Sequence, residues 1–177
     1  MRRTFVFFAL LAVLPFTLSL TFLKATASAA PPGGNIVPWF AIASGTVTST
    51  TNLVTTSVGQ TFGTPIVRGT TSGSQVAAAP PPPCGSGAGS PVTGSVTTTA
   101  SNGDQLFSSV NGTACQSSTT PERFLALFTV TVTGGTGEFA NATGSARQFV
   151  VVTLSATTFG SQGPFTSFQF GFIHLAD

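Results

Sequence analysis

Alternating apolar and polar residues dominate the second half of the chain. In FLALFTVTVT, residues 124–133, Phe124 and Phe128 share one face with the later valines, and threonines follow on the other face. A repeat of two residues is typical of a β-strand with one covered face. Two further runs, ARQFVVVTLSA and FTSFQFGFIHL, predict strands, and the second aligns Phe168, Phe170, Phe172 and His174 on one side.

Turn signals separate the predicted strands. VTGSVTTTAS and DQLFSSVNGTA are joined by Asn102-Gly103, which predicts a two-residue hairpin turn because both residues accept positive φ. Shorter strand candidates come earlier, in FAIASGTVTST, NLVTTSV and TPIVRG. This pattern predicts an all-β fold, a small antiparallel β-barrel of about seven to eight strands, with a β-sandwich as the alternative.

A glycine-rich segment, GGTGEFANATG, follows the strand that contains Phe124. Its spacing resembles a dinucleotide-binding turn, which must open a helix and be followed by an acidic residue about 20 positions later. The chain offers neither feature. We therefore interpret the segment as a structural corner that turns one aromatic side chain into the barrel end. The residues of this corner are Gly134, Gly135, Gly137, Phe139 and Gly144.

The N-terminus has the parts of a secretory signal: two arginines, an apolar run and the small-residue cleavage site Ala27-Ser28-Ala29. We expect a signal peptide at 1–29, a flexible leader at 30–40, and one barrel domain at 41–177 with a Pro/Gly-rich loop at 77–91. A retained membrane anchor is the alternative, because the apolar run is long enough to span a bilayer. Cleavage would leave a secreted protein, extracellular or periplasmic, with no membrane span.

Charged residues are scarce after the signal, with three arginines against four acidic residues. This composition predicts no nucleic-acid partner, because phosphate binding needs a basic surface. A single histidine and scattered acids form no recognisable catalytic or metal-binding constellation. We expect no catalytic residue, no metal and no cofactor. The low charge favours self-association, so a homo-oligomer is compatible with the sequence.

Cys84 and Cys115 are the only cysteines. Two cysteines in a secreted chain most simply form one disulfide, which would tie the proline-rich loop to the barrel. The alternative, a redox pair, lacks the C-x-x-C spacing of such sites.

GGTGEFANATGSA resembles the GGTG-x-F-x-x-A-x-G segment of the allene oxide cyclase and dirigent families. NGDQLFSSVNGT is similar to the preceding strand in their uncharacterised secreted bacterial relatives, so the resemblance spans about Asn102 to Ala146. It implies a small antiparallel barrel that binds an apolar or phenolic molecule inside. The polar pocket residues of those families have no match here, and no catalytic residue is carried over.

Three functions fit the sequence. The first is a secreted, non-catalytic barrel that binds an apolar small molecule, unless its phenylalanines simply fill the core. The second is an allene oxide cyclase-like or dirigent-like isomerase, which would need an acid, an arginine or a histidine in the cavity. The third is a structural or adhesive protein of the envelope or matrix. The predicted pocket residues are Phe124, Phe128, Phe168, Phe170, Phe172, His174 and Arg147.

Overall fold

The computed structural model describes residues 34–50, 53–87, 89–156 and 160–176. Eight antiparallel strands close into one barrel, with each strand paired to its sequence neighbours and the last paired to the first. The predicted all-β barrel is therefore confirmed, and the sandwich alternative is not. The strands are β1 (Asn35–Ser49), β2 (Val54–Thr64), β3 (Arg68–Ala77), β4 (Ser90–Ala100), β5 (Gln105–Gln116), β6 (Arg123–Gly135), β7 (Thr143–Thr153) and β8 (Gln162–Leu175).

Side chains alternate between the interior and the outer face along every strand, as the two-residue repeat predicts. On β6, Phe128, Val130 and Val132 are buried inside the barrel, whereas Thr131 and Thr133 are exposed. Threonine suits the outer positions because its β-branched side chain favours strands and its hydroxyl remains in contact with water. The alternation alone thus explains how so uncharged a chain separates a core from a surface.

One end of the barrel is filled by close-packed apolar side chains. Leu106, Phe139 and Ile173 are each almost completely buried there and are the largest fully buried side chains in the described part of the protein. They belong to a cluster that also includes Val130, Val132 and Ala142. We call this region the filled end.

The glycine-rich corner closes the filled end. It contains the 3₁₀ turn Gly137–Phe139, which carries Phe139 into the core. Gly137 adopts a φ of 54°, and a side chain there would collide with the Asp104 carboxylate. That carboxylate accepts hydrogen bonds from the Glu138 amide (3.1 Å) and from Asn102 Nδ2 (2.9 Å). The β4–β5 hairpin and the corner therefore stabilise each other.

Three local predictions need correction. The predicted strand TPIVRG lies mainly on the connection between β2 and β3, because β2 ends at Thr64 and β3 begins at Arg68. β1 begins at Asn35 and pairs with β8 from that residue onward, so residues 35–40 are not a flexible leader. The β4–β5 hairpin turns through the three residues 101–103 and not through two, because the Ala100 amide donates to the Asp104 carbonyl and, within the turn, Gly103 alone has positive φ. Such a turn is the next most common hairpin after the two-residue type.

The predicted signal peptide lies outside the described residues. Within the described ranges, no helix is both long enough and apolar enough to cross a membrane.

Candidate functional site

The half of the barrel opposite the filled end is hollow. It encloses a cavity of about 320 Å³ that is lined by inward-facing residues from all eight strands. Pockets for small molecules typically start at about 300 Å³, so this volume suits a compact organic molecule. Apolar side chains form most of the wall, including Val47, Val110, Phe124, Phe128 and Phe165.

Every described residue that lines the cavity is uncharged. The polar groups are serine, threonine and glutamine side chains, some of which bond to each other. Thr55 Oγ1 donates to Gln75 Oε1 (3.4 Å), and Gln148 Nε2 donates to Ser167 Oγ (3.4 Å). A charged ligand would lose its hydration with no opposite charge in the wall, so the chemistry of this cavity suits a neutral molecule.

The connection between β3 and β4 covers part of the cavity wall. Pro80 and Pro81 line the cavity, and the disulfide Cys84–Cys115 joins this connection to β5, which confirms the predicted bond. Backbone bonds reinforce the link, since the Cys84 amide donates to the Gln116 carbonyl (2.7 Å) and the Gln116 amide donates to Pro82 (2.8 Å). The proline segment is therefore anchored beside Gln116, itself a cavity residue.

A smaller pocket of about 30 Å³ lies next to the cavity. The two spaces share five lining residues, among them Gln148 and Ser167, so they are adjacent. Trp39 and Thr61 line the small pocket together with Gln169, whose exposed fraction is only 8%. Gln169 Nε2 is a buried donor with no hydrogen-bond partner among the described residues.

The structure brings together only part of the predicted pocket. Phe124 and Phe128 line the cavity. Phe168, Phe170 and Phe172 lie on the outer face, with exposed fractions of 48%, 63% and 58%, so their predicted position inside the barrel is wrong.

The prediction chose the wrong one of the two alternating sets of β8 side chains as the set that faces the interior. Either alternate set of β8 could face inward, and the barrel buries Phe165, Ser167, Gln169 and Ile173. The smaller and amide-bearing set faces the cavity, whereas the phenylalanines face outward.

The two ionisable candidates also lie outside the cavity. Arg147 is exposed on β7, and its Nη1 donates to Thr129 Oγ1 (2.8 Å) on the outer face. His174 shares the outward phase of Phe172 and pairs in register with Ile36 on β1. The polar residues that do line the cavity, such as Gln148 and Ser167, were missed. The sequence signal that could have identified them is that Gln148 and Ser167 alternate along their strands with larger residues that face outward.

The outward phenylalanines form part of a continuous surface that we call the apolar outer face. In register across five strands, Phe62 lies opposite Ile42, Ile42 opposite Phe168, Phe168 opposite Phe149, and Phe149 opposite Leu127. Phe40 lies opposite Phe170 in the next row. The exposed members are Ile36, Phe40, Ile42, Phe62, Leu127, Phe149, Phe168, Phe170 and Phe172.

The fold and cavity define a small, closed, antiparallel β-barrel with a hollow half. No family model matches the chain, and no curated protein is similar to it at a significant level. Among solved structures, the chain is similar to a pterocarpan synthase dirigent protein, with a TM-score of 0.49 and 12% sequence identity. The similarity covers 88% of this chain and 99% of that one.

Proposed function

We propose that the protein is a non-catalytic binding protein that holds a neutral, predominantly apolar small molecule inside the barrel. The cavity of about 320 Å³ with an uncharged wall is the observation that carries this proposal. Burial of apolar surface drives such binding, and the few hydroxyl and amide groups orient the ligand. The disulfide is compatible with the extracellular or periplasmic location that the N-terminal signal predicts.

The first test is native mass spectrometry of the oxidised protein before and after mild organic extraction. A neutral small-molecule mass that extraction removes would support the proposal. The extracted protein is then titrated with the apolar fluorophore N-phenyl-1-naphthylamine, which we expect to bind and to gain fluorescence. Absence of both a retained mass and fluorophore binding would overturn the proposal.

Two substitutions on β6 locate the binding. Ala126 lines the cavity, whereas Thr131 faces outward on the same strand. Ala126→Trp fills the cavity and should abolish fluorophore binding, and Thr131→Trp should leave it unchanged. Equal binding by both variants would show that the fluorophore binds elsewhere.

The alternative proposal is a cyclase-like or dirigent-like isomerase. Such a reaction would need an ionisable group in the cavity, and Arg147 and His174, the two predicted candidates, lie on the outer face. The uncharged wall therefore supports binding without catalysis. Recovery of a ligand that the protein converts to an isomer would favour the alternative instead.

A second function is favoured by the apolar outer face. Its nine large side chains are each about half exposed, and a phenylalanine side chain buries about 150 to 250 Å² when fully covered. The face therefore offers on the order of 900 Å², close to the roughly 800 Å² per partner of a standard protein interface. It also exceeds the largest apolar patch of a typical monomer, about 300 to 600 Å². We propose that a second copy of this chain covers it.

Sedimentation velocity tests this self-association. We expect the wild-type protein to sediment as an oligomer at micromolar concentration. Phe168→Asp places a charge in the centre of the apolar outer face, between Ile42 and Phe149, and should yield a monomer. Ser95→Asp introduces the same charge on the outward side of β4 and should leave the oligomer intact. A monomeric wild-type protein would overturn the proposal.

A further inference from the structure

Gln169 is the one described residue with a fully buried side-chain polar atom that has no hydrogen-bond partner. Its side chain points into the barrel from β8 and lines the small pocket. Buried donors in folded proteins almost always have partners, because an unpaired donor has lost its hydration without compensation. An amide nitrogen left without a protein acceptor inside a pocket is therefore suited to an acceptor supplied by a ligand.

The surroundings of Gln169 restrict the chemistry of that acceptor. Gln148 lies directly opposite Gln169 in the β7–β8 register and also lines both spaces. Thr61, Thr64 and Thr98 supply hydroxyl groups to the same small pocket. All described residues lining this pocket are uncharged, so a carboxylate or phosphate oxygen would be buried there without a cation. The arrangement suits a neutral oxygen.

We propose that Gln169 is the polar anchor of the cavity, and that the ligand is an apolar molecule with a neutral carbonyl oxygen at one end. The Gln169 amide donates to that oxygen in the small pocket, and the apolar body of the ligand occupies the large cavity. The small pocket, at about 30 Å³, has room for one polar group and not for a ring. This inference rests on the proposed binding function.

The test compares acetophenone with ethylbenzene, which have the same carbon skeleton and differ in the carbonyl oxygen. Each compound competes with N-phenyl-1-naphthylamine for the oxidised protein. Gln169→Met retains the length of the side chain and removes the donor. We expect this substitution to weaken acetophenone binding by about tenfold, the effect of one lost hydrogen bond, and ethylbenzene binding by less than about twofold. Benzoate, which is charged, should not compete.

Gln60→Met is the matched control, because Gln60 is exposed on the outward side of β2. Gln60→Met should change the affinity for neither acetophenone nor ethylbenzene. An equal effect of Gln169→Met on acetophenone and ethylbenzene would overturn the anchor role and leave the binding function intact. Failure of the fluorophore to bind wild-type protein, together with the absence of a retained mass, would instead overturn the binding function itself, so the two failures are distinguishable.

A measurement on the wild-type protein covers the case in which Gln169→Met does not fold. The side-chain amide protons of Gln169 can be followed by nuclear magnetic resonance in the ¹⁵N-labelled protein. Acetophenone should move the Gln169 resonances downfield, as a new acceptor does, and ethylbenzene should not. Movement of the Gln60 resonances alone, or equal shifts with both compounds, would contradict the proposal.

Discussion

The two ends of the barrel are built from the same eight strands and yet differ in content. At the filled end, Phe139 from the corner and Leu106 and Ile173 from the strands leave almost no accessible surface. In the hollow half, shorter side chains such as Ala43, Ala114 and Ala126 leave a cavity of about 320 Å³. A small barrel has an interior just wide enough for side chains to fill, so its occupancy depends on side-chain size.

This difference suggests that the filled end mainly stabilises the fold and that the hollow half mainly serves binding. Close-packed residues at the filled end maximise dispersion contacts and hold the strand register. The hollow half gives up such contacts, and its covering segment is secured by the Cys84–Cys115 disulfide. We therefore expect substitutions at the filled end to affect stability and substitutions in the hollow half to affect binding.

Phe139→Ala should have the largest effect on stability. Phe139 is completely buried in the filled end, and removal of a buried phenylalanine ring costs about 3 to 5 kcal/mol. Urea unfolding followed by circular dichroism measures the loss. The control is Val67→Ala, which shortens a side chain that is 79% exposed outside the apolar outer face and should cost less than about 1 kcal/mol. Similar losses in the two variants would contradict the division between the ends.

The double variant Cys84→Ser/Cys115→Ser should cause the second-largest loss of stability. The disulfide closes a loop with a sequence separation of 31 residues. Its loss should lower the free energy of unfolding by about 3 to 4 kcal/mol, because the unfolded chain gains freedom. Since the segment with Pro80 and Pro81 loses its covalent link to β5 and keeps only backbone hydrogen bonds, fluorophore binding should also weaken. Reduction of the wild-type protein should reproduce both effects, and unchanged binding would show that the proline segment does not shape the cavity.

A matched pair of alanines compares packing at the two ends. Ala142 is buried in the filled end, where Ala142→Leu should destabilise the protein by about 1 to 3 kcal/mol through overpacking. Ala126 lines the cavity, so Ala126→Leu should change stability by less than about 1 kcal/mol and weaken fluorophore binding. Thermal unfolding and fluorescence titration measure the two properties. Equal destabilisation would mean that the hollow half cannot accept added volume.

Asp104→Ala should cause the smallest loss in the free energy of unfolding. It removes the acceptor for the Glu138 amide and Asn102, at a cost of about 1 kcal/mol because the corner is accessible to water. Asp104→Asn keeps one acceptor oxygen and should cost less. Chemical unfolding of both variants measures the difference. Fluorophore binding should persist in both, because the corner closes the opposite end of the barrel, and its loss would contradict that separation.

Much of the architecture could be predicted from local sequence patterns. The alternation in FLALFTVTVT placed Phe124 and Phe128 correctly inside the barrel, because only one phase of that strand is apolar throughout. The disulfide followed from the presence of two cysteines, and the all-β class from short alternating runs. These features depend on neighbouring residues or on simple counting.

The candidate site was predicted less completely. In FTSFQFGFIHL, one phase contains Phe168, Phe170 and Phe172, and the other contains Phe165 and Ile173. Hydrophobicity alone favours the phenylalanine-rich phase as the interior. A one-residue change of register exchanges the two sets, and the choice depends on volume inside the closed barrel. Gln169 could be recognised as an anchor only once this phase was known.

The sequence by itself determined the all-β class, the alternation within the strands of the second half, the position of the β4–β5 hairpin and the cysteine pair, because each depends on the local conformational preferences of a few residues or on composition. The tertiary structure alone decided which face of β8 became the interior, where the cavity formed and which amide was left without an acceptor. These properties arise from closure of the sheet, because closure fixes an interior volume that all eight strands must share.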